Sequence, residues 1–209
     1  MDGAMLTRML HTTLKFDAKI WAEWAYKANI DQRGISFVLT YPELVNSERT
    51  TPRSLTHFFE QIASIDNLKE NLQLVEALAL SSLDVVAVSS FIAFVNDELT
   101  QLIDPEEILD TDDFNSISKK IKDISVDDSG AKRVDRLSTI CARLYLKLVS
   151  DSYLQEKNHG KNLVQFLLLD TIPNDLLMSL YMDLQKHGGD QIKEMIRDKK
   201  LANKLLSTL

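Results

Sequence analysis

Apolar positions recur through most of the chain at three- and four-residue spacing, the period of a helix with one buried face. The clearest run is Leu55, Phe58, Phe59, Ile62 and Ile65, which comes after the start Thr50-Thr51-Pro52-Arg53-Ser54. Thr51 is a good N-cap, and Pro52 fits the first helical position, where its missing N–H costs nothing. Upstream, Asp17 opens a helix predicted to turn Ile20, Trp21, Trp24, Ala25 and Ala28 inward. Asp31 opens another with Ile35, Val38 and Leu39 inward, ended by Tyr41-Pro42. The segment His11-Thr12-Thr13-Leu14-Lys15-Phe16 alternates polar and apolar instead, which predicts one short strand.

Downstream, Leu68, Leu72, Val75 and Ala79 share one helical face, and Phe91, Ile92, Val95, Leu99 and Leu102 the next. Residues 74–95 are numerous enough to span a bilayer but include Glu76, Asp84 and two serine pairs. An acid near mid-span costs about 2.5–3.5 kcal/mol, so the stretch reads as two buried helices joined near Leu83-Asp84. Asp104-Pro105-Glu106-Glu107 combines a cap, a first-position proline and first-turn acids, and Phe114, Ile117 and Ile121 mark a further helix. Residues 123–130 are acidic and aperiodic and read as a linker. Beyond them come helices carrying Val134, Leu137, Cys141, Leu144 and Leu148, then Leu163, Phe166 and Leu167. Leu176, Leu177, Leu180 and Leu184 come after Pro173, and one last helix runs from Asp190 through Leu205. The expected fold is mainly α: one helical bundle over 17–122, the linker, and a second helical bundle over 131–209, with 1–16 carrying the strand.

Composition narrows the class without changing that picture. A chain of 209 residues with 44% hydrophobic and 26% charged residues can bury a core without staples. The single cysteine, Cys141, rules out an intramolecular disulfide and suits a reducing cytoplasm. A formal charge of −7 and a pI near 5.1 argue against binding nucleic acid or an anionic membrane. No basic segment followed by an apolar one opens the chain, so no secretory signal is expected.

Most candidate chemistry dissolves on inspection. The chain has no G-x-x-x-x-G-K-[ST] phosphate loop, its glycines standing at 3, 34, 130, 160, 188 and 189. Phe91-Ile92-Ala93-Phe94-Val95-Asn96-Asp97-Glu98 mimics an apolar strand ending in magnesium-binding acids, but its apolar residues continue at helical spacing, which makes it a decoy. His11, His57, His159 and His187 lack zinc-ligand spacing, and Cys141 lies on an apolar stripe. Asp104, Glu106 and Glu107 are explained by cap and dipole chemistry, and Asp110, Asp112 and Asp113 read as a solvated turn. Arg53 remains. A cation in the first turn opposes the helix dipole by about 0.3–1 kcal/mol, at a place where free N–H groups favour an anion. It reads either as a solvated surface arginine or as half of a phosphate clamp.

The Thr51-Pro52-Arg53 helix start, downstream of Asp2-Gly3-Ala4-Met5-Leu6-Thr7-Arg8, resembles the end of an AAA+ ATPase module of the MoxR-like and phage-type branch. Gly3 stands where that pattern has proline, and the likeness extends more weakly through Trp21-Ala22-Glu23-Trp24-Ala25 and Phe91-Ile92-Ala93-Phe94. The resemblance implies a chain that begins after the catalytic core, with 1–16 as the end of that core and 17–122 as the helical lid. It implies that Arg53, set by Thr51 and Pro52, is the second sensor on the ATP phosphates, and that Arg8 is an arginine finger for a neighbouring subunit. ATP and Mg would serve the full-length protein, with no nucleotide held and no ATP hydrolysed by this chain alone. The implied work is ATP-driven remodelling of a partner protein by a cytoplasmic ring, with a von Willebrand type A-domain protein among the implied partners. The alternative is a free-standing helical module whose Thr-Pro-Arg helix binds an acidic or phosphorylated partner.

Overall fold

The computed structural model describes residues 15–99, 102–127, 129–150 and 157–206. Within them the chain forms twelve α-helices: α1 (Ala18–Lys27), α2 (Gln32–Thr40), α3 (Pro52–Ile62), α4 (Leu72–Ser82), α5 (Val85–Ala93), α6 (Pro105–Asp110), α7 (Phe114–Ile124), α8 (Val134–Ser150), α9 (Lys157–Leu167), α10 (Asn174–His187), α11 (Asp190–Met195) and α12 (Lys199–Leu206). A short 3-10 turn, Pro42–Asn46, precedes α3, and α5 runs on into a wider helical turn, Phe94–Glu98. The fold is mainly α, as the apolar period indicates. The expected strand falls largely on residues outside those described, and Lys15 and Phe16 form none.

Short acids start several helices by accepting first-turn N–H groups. Asp17 Oδ1 takes those of Lys19 and Ile20 at 2.9 and 3.1 Å, and Asp113 Oδ1 takes that of Asn115 at 3.1 Å. Residues 74–95 are α4 and α5 joined at Leu83-Asp84, with Asp84 Oδ1 capping α5 through Ala87 N–H at 3.1 Å. Among the described residues no helix is long and apolar enough to cross a membrane.

Three local expectations need correction. Asp104 does not cap α6; its carboxylate pairs with Arg143 on α8 at 2.5 Å, a stronger charge-assisted bond than a neutral amide offers. The single last helix is two, because Asp198 accepts the N–H groups of Lys200 and Leu201 at 2.7 and 3.2 Å and so starts a new one. On α1, Trp21, Ala22 and Ala25 are buried, whereas Ile20 is 67% and Trp24 51% exposed. The helix is rotated because its Lys19–Glu23 edge is engaged: Lys19 pairs with Asp183 and lies 4.5 Å over the Tyr145 ring, and Tyr145 Oη donates to Glu23 at 2.9 Å.

Residues 123–130 include the end of α7 and a hydrogen-bonded reversal. Asp127 Oδ1 accepts from Ser129 N–H and Ala131 N–H at 2.9 Å each, and Val126 bridges to Lys132. Buried apolar side chains on both sides of this stretch belong to one continuous cluster, with α8 packed on α1 and α2, and α9 on α6. Its aromatic centre brings the Phe91 ring to 5.0 Å from Phe58 and 5.1 Å from Phe37. α2 crosses α3 where only glycine fits: a Cβ at Gly34 would lie 2.3 Å from the buried Phe59 ring. That crossing fixes α3 and hence the place of Arg53.

Candidate functional site

The start of α3 is built from its own first residues. Thr51 N–H donates to Ser54 Oγ at 2.9 Å, and Ser54 N–H to Thr51 Oγ1 at 3.2 Å, a reciprocal cap. Pro52 has no N–H, so the Arg53 N–H is the first-turn amide left outside the cap. The Arg53 guanidinium is exposed and makes no hydrogen bond or ion pair among the described residues. Thr51, Pro52 and Arg53 therefore stand together as the sequence predicts, with a free cation beside an exposed helix N-terminus. Arg8 lies outside the described residues.

The preceding loop is anchored rather than open. Ser47 and Thr50 hydroxyls both donate to the Asp84 carboxylate, and the Ser54 hydroxyl donates to Arg49 C=O at 2.6 Å. Those two hydroxyls, Ser47 foremost, hold the Asp84 carboxyl down to about 2. Arg49 donates to the Leu80 and Ser81 carbonyls at 3.1 and 3.2 Å, closing the C-terminal end of α4. The polar loop 46–50, a natural place to look for ligand contacts, thus ties α3 to the α4–α5 corner.

Between α1 and α3 lies an open groove of about 740 Å³, bounded by Trp21, Trp24, Thr51, Pro52, Arg53 and, further along α3, Thr56, His57 and Glu60. Trp24, expected in the core, instead offers half its surface here. Trp21 packs inward, 6.2 Å edge-on to Phe59 and 6.3 Å from Trp24. It is only 8% exposed, and among the described residues its indole N–H has no acceptor. Leaving such a donor unmade costs about 1–3 kcal/mol. Glu60, the acid of the groove, sits two turns from Arg53, roughly 10 Å along the axis at 1.5 Å per residue. It lies 3.8 Å from the His57 ring, one turn earlier on the same helix.

The other end of α3 is closed by Arg33, a residue that the sequence pattern does not single out. Its guanidinium donates to Ile62 C=O at 3.1 Å, Ile65 C=O at 2.7 Å and Asp66 C=O at 3.1 Å while pairing with Asp31 at 2.5 Å. Asp31 also caps α2 by accepting the Arg33 N–H at 2.9 Å. The one local signal is Asp31-x-Arg33 itself, but its target carbonyls lie some thirty residues on.

The remaining candidates are structural. Burial pushes the Cys141 thiol up to about 12, which suppresses the thiolate. Phe91–Glu98 is helical, with Phe91, Phe94 and Val95 buried. Asp110 meets the buried His159 at 2.8 Å, Asp112 accepts from Asn158 at 3.0 Å and Asp113 caps α7. Among the described residues no three His, Cys, Asp or Glu side chains gather as a metal site. Comparison with family models, with curated proteins and with solved structures finds no match, so the groove is interpreted through its own chemistry.

Proposed function

We propose that the chain is the lid and sensor region of an AAA+ ATPase of the MoxR-like and phage-type branch, with Arg53 reading the phosphates of bound ATP. The observation that carries this reading is the uncompensated guanidinium of Arg53 at the capped start of α3. A cation so placed opposes the helix dipole when alone and becomes favourable when an anion joins it, because both the N–H and the guanidinium then donate to one acceptor group. Thr51 and Pro52 position the arginine. They cap the first turn, which borders the groove together with Arg53.

The groove suits the phosphate end of the ligand, and in this reading magnesium is held by the catalytic core. In the intact protein the nucleotide would be enclosed between that core and this lid, and hydrolysis would be coupled to remodelling of a partner protein in a cytoplasmic ring. Arg8 would serve the nucleotide of a neighbouring subunit, and a von Willebrand type A-domain protein is a proposed partner. The chain by itself should show no magnesium-dependent ATP turnover, since it carries no phosphate loop.

Turnover tests both parts of the reading. In the protein that includes the nucleotide-binding core, Arg53→Ala should lower ATP turnover roughly ten-fold or more, the worth of one charge-assisted contact. Unchanged turnover, or sustained turnover by this chain alone, overturns the reading. An acidic or phosphorylated protein partner would use the same free arginine. It would be recognised by Arg53-dependent capture of a phosphopeptide that ATP does not displace.

A further inference from the structure

The hydroxyls around the loop 46–50 form one connected hydrogen-bond set, and the count of their protons gives it a direction. Each hydroxyl has one proton to donate and lone pairs with which to accept. Ser47 gives its proton to Asp84 Oδ2 and accepts the Thr50 N–H at 2.9 Å. Thr50 gives its proton to the same oxygen and accepts the Asp84 N–H at 3.2 Å. Ser54 accepts the Thr51 N–H at 2.9 Å and has Arg49 C=O as its nearer acceptor, at 2.6 Å against 3.1 Å for Thr51 C=O. Arg49 in turn is fixed by its guanidinium on the Leu80 and Ser81 carbonyls, where the end of α4 favours a cation. The cap of α3 is thus completed from the α4–α5 corner, through Arg49 and Asp84.

We infer that residues 46–54 are a latch whose catch is Asp84: closed, it holds the first turn of α3 with Arg53, and open, the loop and that turn are released together. Its effect on phosphate sensing rests on the proposed function; the latch itself does not. Of residues 46–50 only Thr50 is buried, so opening uncovers little apolar surface and takes less free energy than unfolding the core. From Leu55 onward α3 is held by other means. Leu55, Phe58, Phe59 and Ile62 are fully buried, and Arg33 closes the far end. The border of the latch therefore falls at Leu55. Closed, the catch is strong, because one carboxylate oxygen accepts two hydroxyl protons in charge-assisted bonds. It is also cooperative, since both hydroxyl oxygens accept backbone N–H groups of the same set.

The two oxygens of Asp84 have separate work, which lets the latch be cut without removing a helix cap. Oδ1 accepts the Ala87 N–H at 3.1 Å and starts α5, whereas Oδ2 takes both hydroxyls. Asp84→Asn keeps an oxygen for Ala87 and puts a donor-only NH2 group where two hydroxyl protons need an acceptor.

Amide hydrogen exchange of the full chain, followed residue by residue, tests the latch in the parent, in Asp84→Asn and in Ser47→Ala. Thr51 and Ser54 are the reporters, because their amides bond to each other's side chains and not to Asp84. Asp84→Asn is expected to speed both amides roughly ten-fold or more, in step with Thr50, as two charge-assisted bonds are lost. Phe58 and Phe59 should keep the parent rate. Ser47→Ala leaves Asp84 and its α5 cap in place and should speed the same three amides by a smaller common factor. If Thr50 alone responds, the loop and the α3 turn open separately and the latch is wrong. If Phe58 and Phe59 accelerate as much as Thr51 in both variants, no separate latch exists. Should Asp84→Asn loosen the whole chain, Ser47→Ala decides by the same criterion. In the protein that includes the nucleotide-binding core, Asp84→Asn should lower ATP turnover but add nothing to Arg53→Ala. An equal further loss in the Arg53→Ala background overturns the link between latch and Arg53. Unchanged turnover in Arg53→Ala itself overturns the phosphate reading, and the exchange result then still decides the latch.

Discussion

The two ends of α3 are each met by an arginine, and the arginines are used in opposite ways. At the C-terminal end, Arg33 points its charge along the favourable direction of the helix dipole and satisfies three carbonyls near the helix end. Asp31 balances it at 2.5 Å, so the guanidinium is electrically and sterically complete. At the N-terminal end, Arg53 opposes the dipole, touches no acid among the described residues and leaves its donors open. One arginine finishes the fold. The other is exposed and has no protein partner among the described residues.

This contrast can be broken most forcefully at Arg33. Arg33→Ala should destabilise the chain by about 2–4 kcal/mol in urea unfolding, because Asp31 and three carbonyls lose their donor together. A loss under about 1 kcal/mol would put the two arginines in one class. Gly34→Ala comes next, at about 1–3 kcal/mol, since its Cβ must displace the packed Phe59 ring that seats α3; thermal melting reads it directly. Asp84 ties the site loop to α5, and its effect is seen through pH. Its folded pKa is depressed to about 2, so the stabilisation is complete above the ordinary aspartate range and disappears as pH falls toward that value. Asp84→Asn should flatten that acid limb.

Thr51→Ala removes the reciprocal cap and should cost about 1 kcal/mol. Arg53→Ala should come last, within about 0.5 kcal/mol of the parent chain. Its stability should also vary little with salt, as no ion pair is lost. The order of the series is itself the prediction: the same residue type gives the largest loss at one end of α3 and the smallest at the other.

The local parts of this arrangement are legible in the sequence. Thr51, Pro52 and the Leu55, Phe58, Phe59, Ile62 stripe are read within one helix, where period and cap chemistry decide. Residues 74–95 likewise resolve into two helices because Asp84 both breaks an apolar run and caps the second of them. The features that escape a sequence reading depend on distant partners. The rotation of α1, which turns Trp24 outward, is set by Tyr145 and Asp183, more than a hundred residues away. An apolar stripe of Ile20, Trp21, Trp24 and Ala25 contains no trace of that pull. Arg33 is invisible as a cap for the same reason, and Asp104 reads as a cap only because its partner Arg143 lies on another helix.

Whether Arg53 is the open end of α3 is decided by the unfolding free energy of the chain measured against ADP concentration, for the parent and for Arg53→Ala. Without ligand the two curves should start within about 0.5 kcal/mol of each other. With millimolar ADP the parent should gain stability as a ligand bound only to the folded state requires, and Arg53→Ala should gain markedly less. If Arg53→Ala is strongly destabilised without ligand, or if ADP stabilises both chains equally, then Arg53 is not that open end and its assignment to the phosphates is wrong.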